Sequence, residues 1–416
     1  MSAHLRAVSR GGTAAAPAAR RPRSPFLGLC KGLCKGLCKG LCKGLCRGLG
    51  MAVGGAGAIA LLAAVIPAGA QTWTAPHAAS PAAPLVRPAA VFGVDRRTPL
   101  PPRLRDLQEK LGLLFNVRAR SVCTAFCVAK DIVATAGHCL HRTAGERPPR
   151  LADFQFARNY DAVQDVARIA GYATGAAAQH VMSGAVSLSI RPPIDAARDW
   201  ALVRLSRPAC SKGALPLAVL EGEQIIREAE ARRVFHVSYH RDFTPWKLAY
   251  CRDCTVARNF DGADWATITR DFLDPNALIL HTCATGGASS GSPVLLETPS
   301  GPAVIGINVG TYLQSKVVTQ AGEVTRRLKA DIVANTAVSS AAFAEQLEVF
   351  RGARILASGA QIRELQTRLR QRGLFTGRVD GTYSDALRAA IEAHERAAGL
   401  PPTGLATAAL LEALAP

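Results

Sequence analysis

The sequence predicts a mainly β protein with a small helical domain at its C-terminus, and three observations lead there. Short runs of Val, Ile, Leu and Ala, set between Gly, Pro and Asp/Asn turns, occupy the middle of the chain at 131–136 (DIVATA), 200–205 (WALVRL) and 293–309 (PVLLETPSGPAVIGINV); runs of this kind read as strands. From residue 357 the apolar spacing turns helical, with Ile362, Leu365 and Leu369, then Leu387 and Ile391, then Leu410, Leu411 and Leu414, which gives one stripe to each of three short packed helices. A chain of 416 residues is also too long for one ordinary core.

The first 70 residues read as a leader. Five of the twelve cysteines, Cys30, Cys34, Cys38, Cys42 and Cys46, lie in a tandem G-L-C-K repeat, which reads as low-complexity sequence before it reads as a metal tract. Met51 to Ala70 is apolar and uncharged, follows a basic stretch and ends in Ala68-Gly69-Ala70, the small-x-small pattern of a cleaved signal peptide. Cleavage would leave Gln71 as the mature N-terminus. The segment is also long enough for a membrane anchor, but Gly54, Gly55, Gly57, Pro67 and Gly69 interrupt it. Residues 71–90, rich in Ala and Pro, read as a disordered linker. The expectation is a secreted protein of the periplasm or cell envelope, with no stable membrane insertion once the signal is removed.

Charge and cysteines narrow the class. The formal net charge is +19, yet residues 1–70 hold ten Lys/Arg and no Asp or Glu, which leaves +9 on the rest. That balance suits an anionic cell envelope; no basic stripe or reading motif argues for nucleic acid. Seven cysteines fall between Cys123 and Cys283, so an oxidising compartment allows up to three disulfides and leaves one thiol over. Cys127, in a strand-like run, is the candidate for that buried thiol. A bridge from Cys251 or Cys254 to Cys283 would brace the segment that follows. Zinc at Cys251-x-x-Cys254 would need two further ligands, and no H-E-x-x-H cluster occurs, so neither metal nor cofactor is expected.

Three segments carry chemistry. Thr135-Ala136-Gly137-His138-Cys139 directly follows a strand-like run, with Cys123 fifteen residues before His138. Asp199 opens Asp199-Trp200-Ala201-Leu202-Val203-Arg204-Leu205; a buried carboxylate on one imidazole nitrogen fixes the tautomer and stabilises the imidazolium. Asp195, after Pro192-Pro193 in what reads as a surface turn, is the rival. Thr285-Gly286-Gly287-Ala288-Ser289-Ser290-Gly291-Ser292-Pro293 is a Gly/Ser-rich turn that can expose a hydroxyl to a neighbouring base. Ser289 and Ser292 are alternatives to Ser290.

Together these segments resemble the chymotrypsin-like serine proteases, over roughly residues 91–345. The chain order is His, Asp, Ser, as in that family, and the G-S-P ending is similar to the bacterial glutamyl-endopeptidase-like branch. The resemblance implies a double β-barrel over 91–350, His138 as base, Asp199 as its orienting carboxylate and Ser290, chosen by register against G-S-P, as nucleophile. Backbone N–H groups of Ala288 and Ser290 would form the oxyanion hole. It further implies a Cys123–Cys139 bridge that pins the histidine loop. Val91-Phe92-Gly93-Val94-Asp95-Arg96-Arg97 looks like the opening of the bacterial branch, and Ser289 stands where trypsin-like zymogens carry the activating Asp, which argues against activation by a buried terminal salt bridge. Asn308, in Gly306-Ile307-Asn308-Val309-Gly310, replaces the histidine that reads glutamate in that branch, and no charge lies at Ala284 or Thr285. A small or apolar side chain is the expected preference.

Residues 357–416 resemble the three-helix peptidoglycan-binding domain through Ile362-Arg363-Glu364-Leu365-Gln366-x-x-Leu369, Gly373-x-Phe375-x-Gly377-x-Val379-Asp380-Gly381-x-Tyr383 and Gly399-Leu400-Pro401-Pro402-Thr403-Gly404. His394 stands where that family often has an aromatic. The composite expectation is a secreted serine endopeptidase that acts on protein or peptide substrates and is held at peptidoglycan. A peptidoglycan-crosslink hydrolase and a non-catalytic wall-binding protein are the alternatives.

Overall fold

A computed structural model describes residues 90–415 except 142–148, 161–164, 190, 245, 315–316, 321–322 and 328–330. The Cys repeat, the signal-like segment 51–70 and the linker up to residue 89 lie outside the described residues. Among the described residues no helix is long and apolar enough to cross a membrane.

Among the described residues the first strand is the short β1 (Thr98–Pro99), followed by an antiparallel sheet built from β2 (Leu111–Asn116), β3 (Ser121–Ala129), β4 (Ile132–Thr135), β5 (Gln155–Arg158), β6 (Asp165–Arg168), β7 (Val181–Ser183) and β8 (Ala201–Arg204). The strand order is β6-β5-β2-β3-β4-β8-β7. A bridge between Ile169 and Leu205 joins the chain after β6 to the chain after β8, which curls the sheet toward closure. Helix α1 (Gly222–Glu230) leads into the second half. It comprises β9 (Val234–Tyr239), β10 (Leu248–Cys251), helix α2 (Trp265–Asp271), β11 (Leu278–His281), β12 (Pro293–Thr298), β13 (Gly301–Gln314), a hairpin of β14 (Val317–Gln320) and β15 (Glu323–Arg327), and β16 (Asp331–Ser339). The second sheet runs β1-β10-β9-β12-β13-β16-β11, and a Val256–His281 bridge curls it in the same way.

Strands in the middle of the first sheet are buried on both faces, which is why their sequences are continuously apolar rather than alternating. Ile132, Ala134 and Leu202 face a large core shared by the two sheets, whereas Val133, Ala201 and Val203 face the interior of the first barrel with Phe154 and Phe156. Each fully buried Ile, Leu or Val side chain among these stabilises the fold by about 1.5–3 kcal/mol.

Three disulfides clamp these sheets: Cys123–Cys139, Cys127–Cys210 and Cys254–Cys283. The expectation that Cys127 is the free thiol is corrected: Cys127 is bridged, and among the described residues the free cysteine is the buried Cys251. The pairing follows from the sheet. Cys210 N–H donates to Lys130 O and Leu215 N–H to Cys127 O, which lays the segment after β8 alongside β3 and brings the two Cα atoms to 5.7 Å. Eighty-three residues separate the partners, so local sequence carries no sign of it.

After helix α3 (Ala344–Gly352) come α4 (Gly359–Gln371), α5 (Asp385–Ala397) and α6 (Ala408–Ala413). Ser358, Ser384 and Thr407 cap their N-termini through side-chain oxygens, a contribution of about 1 kcal/mol each. Ile362, Leu365, Leu369, Phe375, Leu387 and Ile391 form a separate core. Gly381 takes a φ of 79° at the turn before α5, and Gln366 Oε1 accepts its N–H.

Candidate active site

β4 delivers the chain into a single tight turn, Gly137–Cys139, which carries His138. Gly137 leaves room there for the carboxylate: a Cβ at that position would sit 3.2 Å from Asp199 Oδ1 and 3.3 Å from Trp200 O, tight enough to press on both. Asp199, two residues before β8 begins, fills that space. Its Oδ1 accepts the His138 backbone N–H at 2.8 Å, and its Oδ2 lies 2.7 Å from His138 Nδ1. The carboxylate is 10% exposed and the imidazole 38%. Enclosure by protein disfavours the charged ring, but the Asp199 carboxylate outweighs it and holds His138 above its ordinary pKa. Nδ1 is thereby the protonated nitrogen, and Nε2 is left as the basic one.

Asp195, the rival carboxylate, is not on a surface turn. It is 4% exposed and engaged by the Arg198 guanidinium, with Arg198 Nε at 2.9 Å from Oδ1. Its backbone N–H donates to Ser189 O. Burial here comes from the second barrel, since Ile194 N–H donates to Asp271 O and Leu273 N–H to Ile194 O.

The loop 285–293 separates its three serines by environment. Ser289 Oγ donates to Gly286 O at 2.7 Å, and Ser292 Oγ donates to Ser289 O at 2.6 Å while also meeting His236 Nε2 at 2.6 Å. Both residues are buried. Ser290 is half-buried, and among the described residues its hydroxyl has no hydrogen-bond partner, His138 included. The Ser290 segment is instead tied to β3 and packs against the strand that leads to His138. Thr124 N–H donates to Ser290 O at 2.9 Å. Gly291, at φ 82°, lies so close to the strand leading to His138 that a Cβ would stand 2.1 Å from Thr135 Oγ1 and 2.9 Å from Ala136 N. Catalytic hydrogen bonds in unliganded sites are often long and tighten when substrate binds.

Ala288 takes a φ of 80°, a conformation that costs an L-residue about 1–2 kcal/mol. Neighbours hold it there: Thr124 Oγ1 donates to Ala288 O at 2.8 Å, and Arg241 N–H donates to Gly287 O at 2.9 Å. Because a trans peptide points its C=O and N–H in opposite directions, that second bond aims the Ala288 N–H away from Arg241. Among the described residues, neither Ala288 N–H nor Ser290 N–H has an acceptor.

Several residues around this site carried no sequence signal, and Asn308, which the sequence marked only as standing where a glutamate-reading histidine would be, takes a place in the loop's hydrogen bonding. Thr124, from β3, organises the loop from the opposite barrel. Behind the loop, Asn308 Nδ2 donates to Ser289 O at 3.1 Å, and His236, His240 and His281 form a buried cluster with ring centroids 6.2 Å apart from His236 to each of the others. Burial holds His281 at about 4; burial and the Arg97 charge hold His240 at about 4. Near Ala284 and Thr285, both buried, a carboxylate is present after all: Asp242 Oδ1 lies 2.1 Å from where a Gly286 Cβ would be. Arg97, itself buried, pairs with it at 2.8 Å. Only pairing across 145 residues brings it there.

A cleft of about 700 Å³ opens beside the His138–Asp199 pair. Val186, Ile194, Phe272, Val309 and Tyr312 give it apolar walls. Tyr312 is fixed by a 2.6 Å hydrogen bond from its hydroxyl to Asp271 Oδ2.

Comparison with known proteins adds two family matches. Residues 123–307 match the family model of the trypsin-like peptidase domain, and residues 358–414 match that of the peptidoglycan binding domain. Among solved structures, a Glu endopeptidase in complex with MPD is 15% identical at a TM-score of 0.40, with 62% of this chain and 97% of that one covered. A thermostable serine protease from an extremophilic microorganism is 19% identical at a TM-score of 0.38, with 59% and 99% covered. A search of curated proteins gives no match.

Proposed function

We propose that this serine-type endopeptidase, which joins a trypsin-like peptidase domain to a C-terminal peptidoglycan-binding domain, hydrolyses peptide bonds through an acyl-enzyme on Ser290 and acts at the cell wall after secretion. The observation that carries the reading is the division of labour among the side chains. Asp199 binds His138 twice, Ser289 and Ser292 are tied into the loop, and Ser290 alone of the three serines has an unengaged hydroxyl.

In the proposed mechanism Ser290 Oγ attacks the scissile carbonyl carbon as His138 Nε2 takes its proton. Asp199 stabilises the imidazolium, which the raised pKa of His138 already reflects. The N–H groups of Ala288 and Ser290 bind the carbonyl oxygen as it gains charge, an interaction worth roughly 3–4 kcal/mol per donor in such sites. His138 then passes the proton to the leaving amine, and water repeats the sequence to release the acyl group. The division at about residue 350 into a catalytic and a wall-binding segment, and the envelope location, belong to the same proposal; the peptidoglycan-binding domain supports the latter. The apolar cleft walls favour substrates with apolar side chains.

The test uses the purified protein with casein and with isolated sacculi. Cleavage of casein that is lost in Ser290→Ala, together with sedimentation on sacculi without release of muropeptides, supports the proposal. Muropeptide release would assign the activity to peptidoglycan crosslinks, and binding without any hydrolysis would leave a wall-binding protein.

A further inference from the structure

The helical domain contacts the first barrel next to the catalytic pair. From α5, Arg388 Nη2 donates to Ser183 O at 2.7 Å while its Nε is held by Glu392 Oε1 at 2.9 Å, and the side chain is 12% exposed. Ser183 ends β7 and pairs with Ala201 of β8, two residues beyond Asp199. The next residue, Gly184, donates to Trp200 O at 3.1 Å and packs so tightly that a Cβ would lie 2.5 Å from Arg198 O. In the other direction Ser183 Oγ meets His141 Nε2 at 2.9 Å, and His141 N–H donates to Gly137 O at 3.0 Å, one residue before His138. Two arms therefore leave Ser183, one to the segment of Asp199 and one to the turn of His138. Burial, with the Arg388 charge behind it, holds His141 at about 4, so its ring is neutral at working pH.

The contact continues into the core. Leu405, 1% exposed, belongs to the large cluster with Met182, Trp200, Phe343 and Phe350, and not to the helical domain's own core. Trp200 follows Asp199 directly and lies 6.0 Å from Phe343, centroid to centroid.

Resting on the assignment of His138 and Asp199 to catalysis, we propose that Arg388 is a positioning residue for that pair, acting through Ser183 and His141, so that the C-terminal domain completes the catalytic site as well as carrying it to the wall. A nearly buried guanidinium held in a fork fixes the carbonyl it binds, and small displacements of a catalytic pair are costly in rate.

The experiment compares full-length wild type with Arg388→Met, Ser183→Ala and, as a control, Arg351→Met at an exposed position of α3. Turnover is normalised to active sites titrated with a fluorophosphonate, and the far-downfield proton resonance of His138 Nδ1–H is recorded by NMR. Arg388→Met is expected to lower kcat about tenfold and Ser183→Ala about threefold, with KM within about twofold, and both to shift or broaden the resonance. Arg351→Met is expected to match wild type. Wild-type kcat and an unchanged resonance in both test variants would overturn the proposal. If circular dichroism shows that Arg388→Met does not fold, Arg388→Lys, which keeps the charge but loses the fork that holds Ser183 O and Glu392 together, decides in its place, with the same loss of kcat expected and wild-type kcat overturning the proposal. A wild type that neither labels nor cleaves would defeat the protease reading, whereas the resonance, which needs only the His138–Asp199 hydrogen bond, would still report on positioning.

Discussion

At the scale of single residues, the site rests on a few close approaches that tolerate no substitute. Asp199 has one role in the account, to fix and stabilise the His138 ring through its 2.7 Å contact. Asp199→Asn keeps the shape and removes the charge, so kcat on a peptide substrate is expected to fall by about 10⁴; a loss below tenfold would mean that another group orients His138. Ala288 offers a prediction of opposite sign. Its φ of 80° suits glycine, so Ala288→Gly is expected to stabilise the fold by about 1 kcal/mol in urea unfolding; a loss of stability would contradict it. The sequence singled out His138, Asp199 and Ser290 as candidates because each stands in a distinctive local context. Thr124, Asp242 and the buried histidines have no such context, and only the meeting of the two barrels assigns them a place.

Secondary-structure elements were legible in proportion to how local their signals are. The runs at 131–136 and 200–205 fall on β4 and β8, and the apolar stripes after residue 357 fall on α4, α5 and α6, because period and capping are written within a dozen residues. The run 293–309 holds two strands, since Pro-Ser-Gly within it makes the turn between β12 and β13. The Cys127–Cys210 pairing lies beyond that reach. Cys127 finds Cys210 only because β3, β4 and β8 stand side by side. The bridge closes a long loop and ties β3 to the chain after β8, so Cys127→Ser with Cys210→Ser is expected to cost about 2–4 kcal/mol of stability in denaturant unfolding. A change under about 0.5 kcal/mol would show that the sheet holds itself.

For the molecule as a whole, the two sheets enclose a shared core that also takes in Leu405, and the polar groups trapped near it set how the fold responds to acid. His240 and His281 titrate at about 4 in the folded chain, below their ordinary value near 6.5. Between about pH 6.5 and 4 the unfolded chain takes up protons that the folded chain refuses, so stability should fall by roughly 1 kcal/mol per pH unit for each of the two. His138 has the opposite sign. Its raised pKa contributes stability that is complete below the ordinary value and is lost as pH rises through the folded value, so it does not drive the acid loss. Its activity, which needs the neutral ring, should decline on the acid side with a midpoint above about 6.5. Urea titrations at pH 7, 5.5 and 4.5 check the first statement, and a flat stability across that range would refute the buried-neutral assignment.

The central claim is that one hydroxyl among three neighbouring serines is the nucleophile and that His138 activates it. Peptide mapping by mass spectrometry after reaction with a fluorophosphonate tests this most directly. The account predicts one adduct, on Ser290, absent in His138→Ala and undiminished in Ser289→Ala; an adduct on Ser289 or Ser292, or one that survives the loss of His138, would contradict it.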